Sequence, residues 1–293
     1  MKKPFALAVM LAAISMTACQ DDVIVIDGLS AETSQNNTTK YVTFNVTGDF
    51  SSSWQQATRG LVLADGQEIT DLWIFDYQNG ALVQQIHQTS KDEKFGAPSL
   101  CFNMGSHHVY FVASSGTDPS LSTSKHTIIW DKVGDTFYKD LALYVDGSIS
   151  GNQTVTLDRS VTKLNLTIVD AIKEGTSSFI VVPHLWYYGI DYFTGRPTSP
   201  KTEQPVFLEC PSSKYGQTQS KISVFGFSST TEWKNNVSLY ATDGTFVTAH
   251  VDIKDAPFKR NCATEYFGSL FGTEGIVSVT INDIWDGVQS STW

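Results

Sequence analysis

Apolar and polar residues alternate with a period of two along most of the chain, the mark of strands with one buried face. Tyr41–Thr47 is the first clear case, with Val42, Phe44 and Val46 on one side. Gln67–Gln88 reads as a hairpin: DLWIFDY runs to Asn79-Gly80 and ALVQQIHQ runs back. Asn-Gly accepts the positive φ values of a tight primed turn, so these two strands should be antiparallel neighbours. Leu100–Met104 and Val109–Ser114 add two strands about a turn at Gly105-Ser106, and Ile128–Trp130 with Leu141–Val145 complete a first set. The turn-rich Asp146–Asn152 (DGSISGN) marks a domain boundary. A second alternating series opens at Val155–Val169, aligning Val161, Leu164, Leu166 and Ile168 for a core after a phase slip near Thr162. Ser178–Tyr188, Pro205–Cys210, Lys221–Phe227, Val237–Ala241, Thr245–Ile253 and Ile276–Ile284 follow, with Asp243-Gly244 joining two of them as a tight hairpin. Beyond the leader no stretch keeps a 3.6-residue period, so helices should be short connectors. The expected architecture is all-β: two antiparallel β-sandwich domains in tandem, residues 40–152 and 153–293.

The N-terminal segment follows another logic. Lys2 and Lys3 precede Phe5–Ile14, an apolar run too short to span a bilayer, and Met16-Thr17-Ala18 lead to Cys19. This resembles a lipoprotein leader of residues 1–18 with its lipobox, although Met16 stands where leucine is usual. Cys19 would then be the acylated N-terminus, held at a membrane without a transmembrane helix. Gln20-Asp21-Asp22 resembles the acidic signal that sends lipoproteins to the cell exterior in some Gram-negative anaerobes. Residues 19–39, rich in Ser, Thr, Asn and Gln, read as a flexible tether.

Composition narrows the function. Of 293 residues, 41% are hydrophobic and 17% charged, which suits packed domains and excludes extensive disorder. Losing the leader removes Lys2 and Lys3, leaving 18 basic against 30 acidic residues, or −12. That balance argues against nucleic acid and against electrostatic docking on anionic lipid. With Cys19 acylated, three cysteines remain, so one disulfide at most forms, Cys210 with Cys262; three buried thiols are the alternative.

Catalytic signatures are missing. The nearest segments to a Gly-x-Ser-x-Gly elbow, Gly147–Gly151 and Gly268–Gly272, place Ile149 and Leu270 at the centre. His107 and His108 are adjacent on an expected strand, point to opposite faces and make a poor joint metal site. No phosphate-cradling or calcium-loop pattern occurs. Neither a cofactor nor a metal is expected. A glycosidase would need two carboxylates facing across a cleft, which sequence spacing does not reveal. Trp186, Tyr188 and Tyr192 in the aromatic run His184–Phe193 would stack on sugar rings if exposed, and would fill a core if not.

Five segments in order resemble the fimbrillin superfamily, the subunits and anchors of type V fimbriae: the lipobox with its acidic follower, Ile69–Gly80 (ITDLWIFDYQNG), Gly105–Ser114 (GSHHVYFVAS), Leu157–Val169, and Asp255–Phe271 (DAPFKRNCATEYFGSLF). The resemblance implies transthyretin-like, Greek-key sandwiches, surface export and assembly in which one subunit's strand completes a groove in the next. Shaft subunits of the family are cut after an arginine downstream of the first strand, and Arg59 in Ala57-Thr58-Arg59-Gly60 stands in that place. Cutting would separate Cys19 from the body, and the closing Trp285–Trp293 is a poor donor strand, so an uncut anchor is favoured over a shaft pilin. The expected function is a non-enzymatic outer-membrane lipoprotein in fimbriae and adhesion, partnered by other fimbrial subunits, by the membrane through Cys19, and by a host surface or glycan. The rival is a surface glycan-binding lipoprotein for nutrient capture.

Overall fold

The computed structural model describes residues 39–48, 55–57, 60–62, 68–272, 276–282 and 291–292, with side chains at 39–48 and 69–272. Cys19, Gln20, Asp21, Asp22 and Arg59 lie outside the described residues. The chain opens with β1 (Lys40–Gly48), β2 (Gln55–Ala57), β3 (Gly60–Val62), β4 (Glu68–Ile69), β5 (Asp71–Gln78), β6 (Ala81–Thr89), β7 (Ser99–Phe102) and β8 (Gly105–Ser114). It continues through β9 (Thr117–Ser122), β10 (Thr127–Lys132), β11 (Thr136–Val145), β12 (Asn152–Arg159), β13 (Val161–Ile168), β14 (Ser178–Pro183), β15 (Leu185–Asp191) and β16 (Arg196–Thr202). It closes with β17 (Val206–Glu209), β18 (Ser220–Phe227), β19 (Trp233–Thr242), β20 (Val247–Phe258), β21 (Ala263–Gly268), β22 (Ile276–Asn282) and β23 (Ser291–Thr292). Among the described residues the one helix is the 3-10 turn Ser212–Lys214, so the fold is all-β.

A seven-stranded sheet runs β6-β5-β8-β11-β12-β1-β7. It curls over its own core, because Phe44 of β1 meets Phe111 of β8 edge-on with ring centroids 5.2 Å apart. Val42, Phe44 and Val46 are buried there beside Leu72, Ile74, Leu100 and Val155. The hairpin β5–β6 turns at Asn79 and Gly80, with φ of 53° and 77°, as Asn-Gly requires. β7 and β8 follow each other but do not pair: β7 joins β1, and β8 joins β5 and β11.

A nine-stranded sheet, β23-β22-β21-β13-β18-β15-β10-β9 with β16 on β15, faces a four-stranded sheet, β17-β14-β19-β20. Leu164, Leu166 and Ile168 pack with Phe179, Val181, Leu239 and Ile253 between them. Ile128–Trp130, expected in the first sheet set, lies in β10 of the nine-stranded sheet, whereas β12 completes the seven-stranded one. The chain therefore changes sheets around β9–β10 and again after β12. Both returns are pinned by one buried ion pair: Arg159 Nε and Nη2 donate to Asp135 Oδ1 and Oδ2 at 2.7 and 2.8 Å. The phase slip read near Thr162 falls at Ser160, where β12 ends before β13 begins.

Most strands show a solvent face; β5 does not. Leu72, Ile74 and Asp76 face the first core, while Trp73, Phe75 and Tyr77 face the second. The run LWIF is buried on both sides because sheets cover both of its faces.

Candidate functional site

β1 is both the first described strand and an interior strand of its sheet. It pairs in parallel with β12 from Thr43↔Asn152 to Gly48↔Leu157, and antiparallel with β7 from Lys40↔Phe102 to Thr43↔Ser99. Beyond the β7 ladder, Phe44 N and Val46 N donate to the carbonyls of Pro98 and Gly96, each at 2.9 Å. Its inward side chains fill the core, and β7 reaches the sheet only through it. Taking β1 away would open a slot floored by Phe102, Phe111 and Leu157 and flanked by unpaired backbone, the kind of site an added strand completes. Exposed apolar side chains stand on edge strands: Val83 on β6, Phe207 on β17 and Val247 on β20.

The aromatic residues considered for sugar stacking are core residues. Trp186, Tyr188 and Tyr192 share one face of β15 and its turn, and that face points inward, leaving them 0%, 2% and 0% exposed. Trp186 Nε1 donates to Phe225 O at 2.7 Å, and Tyr188 OH donates to Gln204 O at 3.4 Å. Tyr192 stacks on Phe75 with centroids 3.9 Å apart and shares a hydroxyl contact of 3.2 Å with Tyr77. Burial raises the phenol pKa of Tyr188 to about 12. With their polar ends satisfied and their rings covered, these side chains are closed to a carbohydrate.

His107 and His108 point to opposite sides as expected: His107 is buried, and His108 is exposed beside Asp140. Unforeseen is the partner of His107. Its Nδ1 lies 2.8 Å from Asp76 Oδ1 and its Nε2 lies 3.0 Å from Asn103 O. Since a carbonyl only accepts, Nε2 donates, and the Asp76–His107 contact holds one further shared proton. Burial raises the Asp76 pKa against the opposing pull of His107. The signal in the sequence was an acidic residue closing the apolar run of β5. Among the described residues no group of three or more His, Cys, Asp and Glu side chains is placed to hold a metal.

Cys101, Cys210 and Cys262 are thiols, and no disulfide joins Cys210 to Cys262. Cys262 O accepts from Lys163 N near the start of β13, whereas Cys210 lies by Ser220–Ile222, which pair with the end of β13. At about 3.3 Å per residue the three to five intervening strand positions separate them by roughly 10–17 Å, beyond the ~7 Å Cα limit of a disulfide.

No family model matches the chain, and no curated protein matches it in sequence. Solved structures do. A candidate cell adhesion protein from Bacteroides uniformis superposes with a TM-score of 0.51 at 11% identity, covering 84% of this chain and 98% of its own. The fimbrial anchor protein Mfa2 from Porphyromonas gingivalis gives 0.45 at 9% identity over 84% and 98% of the two chains. The C-terminally truncated tip fimbrial protein Mfa3 from the same organism gives 0.45 at 14% over 84% and 100%. At such identities a likeness speaks for architecture alone, and the Bacteroides uniformis protein shares this one over nearly its whole length.

Proposed function

We propose that this chain is a surface-exposed outer-membrane lipoprotein, a structural subunit or anchor of type V-like fimbriae that assembles by β-strand donation and supports adhesion without catalysis. The observation that carries this reading is the interior place of β1, whose Val42, Phe44 and Val46 close the first core. An anchor requires an unbroken chain from lipid to body, and β1 makes the segment after the tether an integral part of the fold. Arg59 therefore has opposite value in the two roles. Cutting there would free β1 for exchange in a shaft subunit, and leaving it intact would keep Cys19 attached in an anchor, the role favoured here. Export through Gln20, Asp21 and Asp22 would place the body outside, where Cys19 supplies the membrane contact that a net −12 mature chain does not.

Mass spectrometry of the N-terminus in assembled fimbriae tests the assignment. An acylated Cys19 is expected, and a mature N-terminus at Gly60 would move the chain to the shaft. Outer-membrane fractions run without heating should show an oligomer ladder. Cys19→Ala should abolish fatty-acid labelling and surface display, and a single monomer band from wild type would sink strand donation.

A further inference from the structure

A concavity of about 520 Å³ lies where the β15–β16 turn meets the segment before β19 and the turn after β20. It is of a size for a small ligand, and its walls include Tyr187, Thr194, Arg196, Thr230, Trp233 and Arg260. The sequence builds it deliberately. Asp191 Oδ1 accepts from Phe193 N at 2.9 Å and Thr194 N at 3.2 Å, closing the turn. Gly195 follows at φ +67°, where an added Cβ would stand 2.6 Å from the Tyr138 ring, so no other residue fits. Its carbonyl accepts from Arg260 Nη2, and Arg260 Nε donates to Ser228 O at 3.3 Å.

Two guanidinium groups thus line one concavity with no Asp or Glu in its wall, on a chain of net charge −10. Neither Arg196 nor Arg260 forms an ion pair with a carboxylate among the described residues. Arg260 is partly buried, and desolvation weakens its hold on its proton against the opposing pull of Tyr138 and Asp158; its direct hydrogen-bond partners are two neutral carbonyls. An anion would supply the missing partner. Trp233 restricts which anion. Its Nε1 is tied to Ser228 Oγ at 2.9 Å, fixing the indole, and the half-buried ring lines the cavity with Tyr187 edge-on at 6.3 Å. A bare carboxylate or phosphate would leave this aromatic wall unused, and a neutral sugar would bring no counter-charge to the two guanidinium groups.

We propose that the concavity binds an acidic saccharide, a pyranose bearing a carboxylate. Arg196 and Arg260 receive the carboxylate through charge-assisted hydrogen bonds. Trp233 stacks on the apolar face of the ring, and the hydroxyls of Thr194, Ser229 and Thr230 meet the sugar hydroxyls. This goes beyond the fimbrial reading and does not rest on it.

Titration calorimetry on the full chain, with digalacturonate, a glucuronate disaccharide and sialyllactose as acidic probes and with lactose and acetate as controls, tests it. At least one acidic probe should bind saturably, tenfold or more tighter than lactose or acetate, and weaken as salt rises. Arg196 is exposed and has no side-chain partner among the described residues, so Arg196→Ala should keep the wild-type Tm and lose affinity at least tenfold. Arg260→Lys keeps the charge but not the fork and should also weaken binding. The proposal is overturned if none of the acidic probes binds, if lactose or acetate binds as tightly, or if Arg196→Ala retains full affinity.

Discussion

The two cores of the molecule are made of different chemistry. In the first, inside the curled seven-stranded sheet, every buried aromatic residue is phenylalanine: Phe44, Phe102, Phe111 and Phe137. In the second, Trp73, Trp130, Trp186, Tyr77, Tyr110, Tyr188 and Tyr192 are packed together, and most carry a polar end that needs an address. The first core is a matter of volume, and it is closed by a strand from one end of the described chain. The second is also a matter of hydrogen bonds, since Tyr77–Tyr192 fixes which residues meet between sheets and Trp186–Phe225 ties neighbouring strands of one sheet. Phenylalanine tolerates small shifts of its neighbours, whereas a buried hydroxyl or indole N–H loses its partner when the register slips. The first core can therefore be closed by the packing of a single strand, while the second holds the seam between sheets in one arrangement.

Substituting one ring in each core probes the contrast most strongly. Phe44→Ala and Phe75→Ala should each cost about 3–5 kcal/mol in denaturant unfolding. Hydrogen exchange should separate them: Phe44→Ala should speed β1 and β7 and spare β13 and β18, whereas Phe75→Ala, stripped of its stack on Tyr192, should loosen both sides of the seam. Equal protection of β1 in both variants would dissolve the distinction.

The buried Asp76–His107 pair beside the first core gives the next effect. His107→Ala strands a buried Asp76 carboxylate and should cost about 3 kcal/mol. Asp76 already has a folded pKa above the ordinary value of 3.8, through burial. A carboxylate raised in this way stabilises the fold below its unfolded pKa, and that contribution is lost as pH climbs through the folded value. Removing the His107 contact raises it further, so the deficit of the variant should widen upward from about pH 4; a pH-independent deficit would refute the linkage.

A smaller loss is expected from Tyr192→Phe, which leaves the Tyr77 hydroxyl without its 3.2 Å partner. About 1–2 kcal/mol should appear as a shift in urea midpoint at constant slope. Smallest is Lys139→Ala. Lys139 Nζ lies 3.0 Å from Asp158 with side chains 37% and 56% exposed, and its loss should change stability by no more than about 0.5 kcal/mol.

Local features were legible in the sequence, and distant ones were not. The alternation of Val42, Phe44 and Val46 and the turn at Asn79-Gly80 follow from residues a few positions apart, and both stand in the structure. The loop after β19 was read as a tight Asp243-Gly244 turn but spans four residues, because Asp243 Oδ1 accepts from both Thr245 N and Phe246 N at 2.8 and 2.7 Å. That Trp186, Tyr188 and Tyr192 share a face was plain from their spacing. Which way the face points is decided by Phe75, Tyr77 and Phe225, which alternation in β15 does not report. The crossing of β9–β10 into the nine-stranded sheet depends on pairing with β15, some sixty residues away in sequence, and on the Arg159–Asp135 lock. The arginine-lined concavity was hidden for the same reason, since Arg196, Trp233 and Arg260 come together only through three separate turns.

The placement of β1 also sets how the molecule bears load. A pull on the N-terminal end of β1 would run along this strand, whose rungs to β12 and β7 lie across the direction of pull. They are strained together, in shear, instead of parting one at a time as in a zipper. Giving way would require the whole strand to slide at once, dragging Val42, Phe44 and Val46 out of their sockets in the same movement.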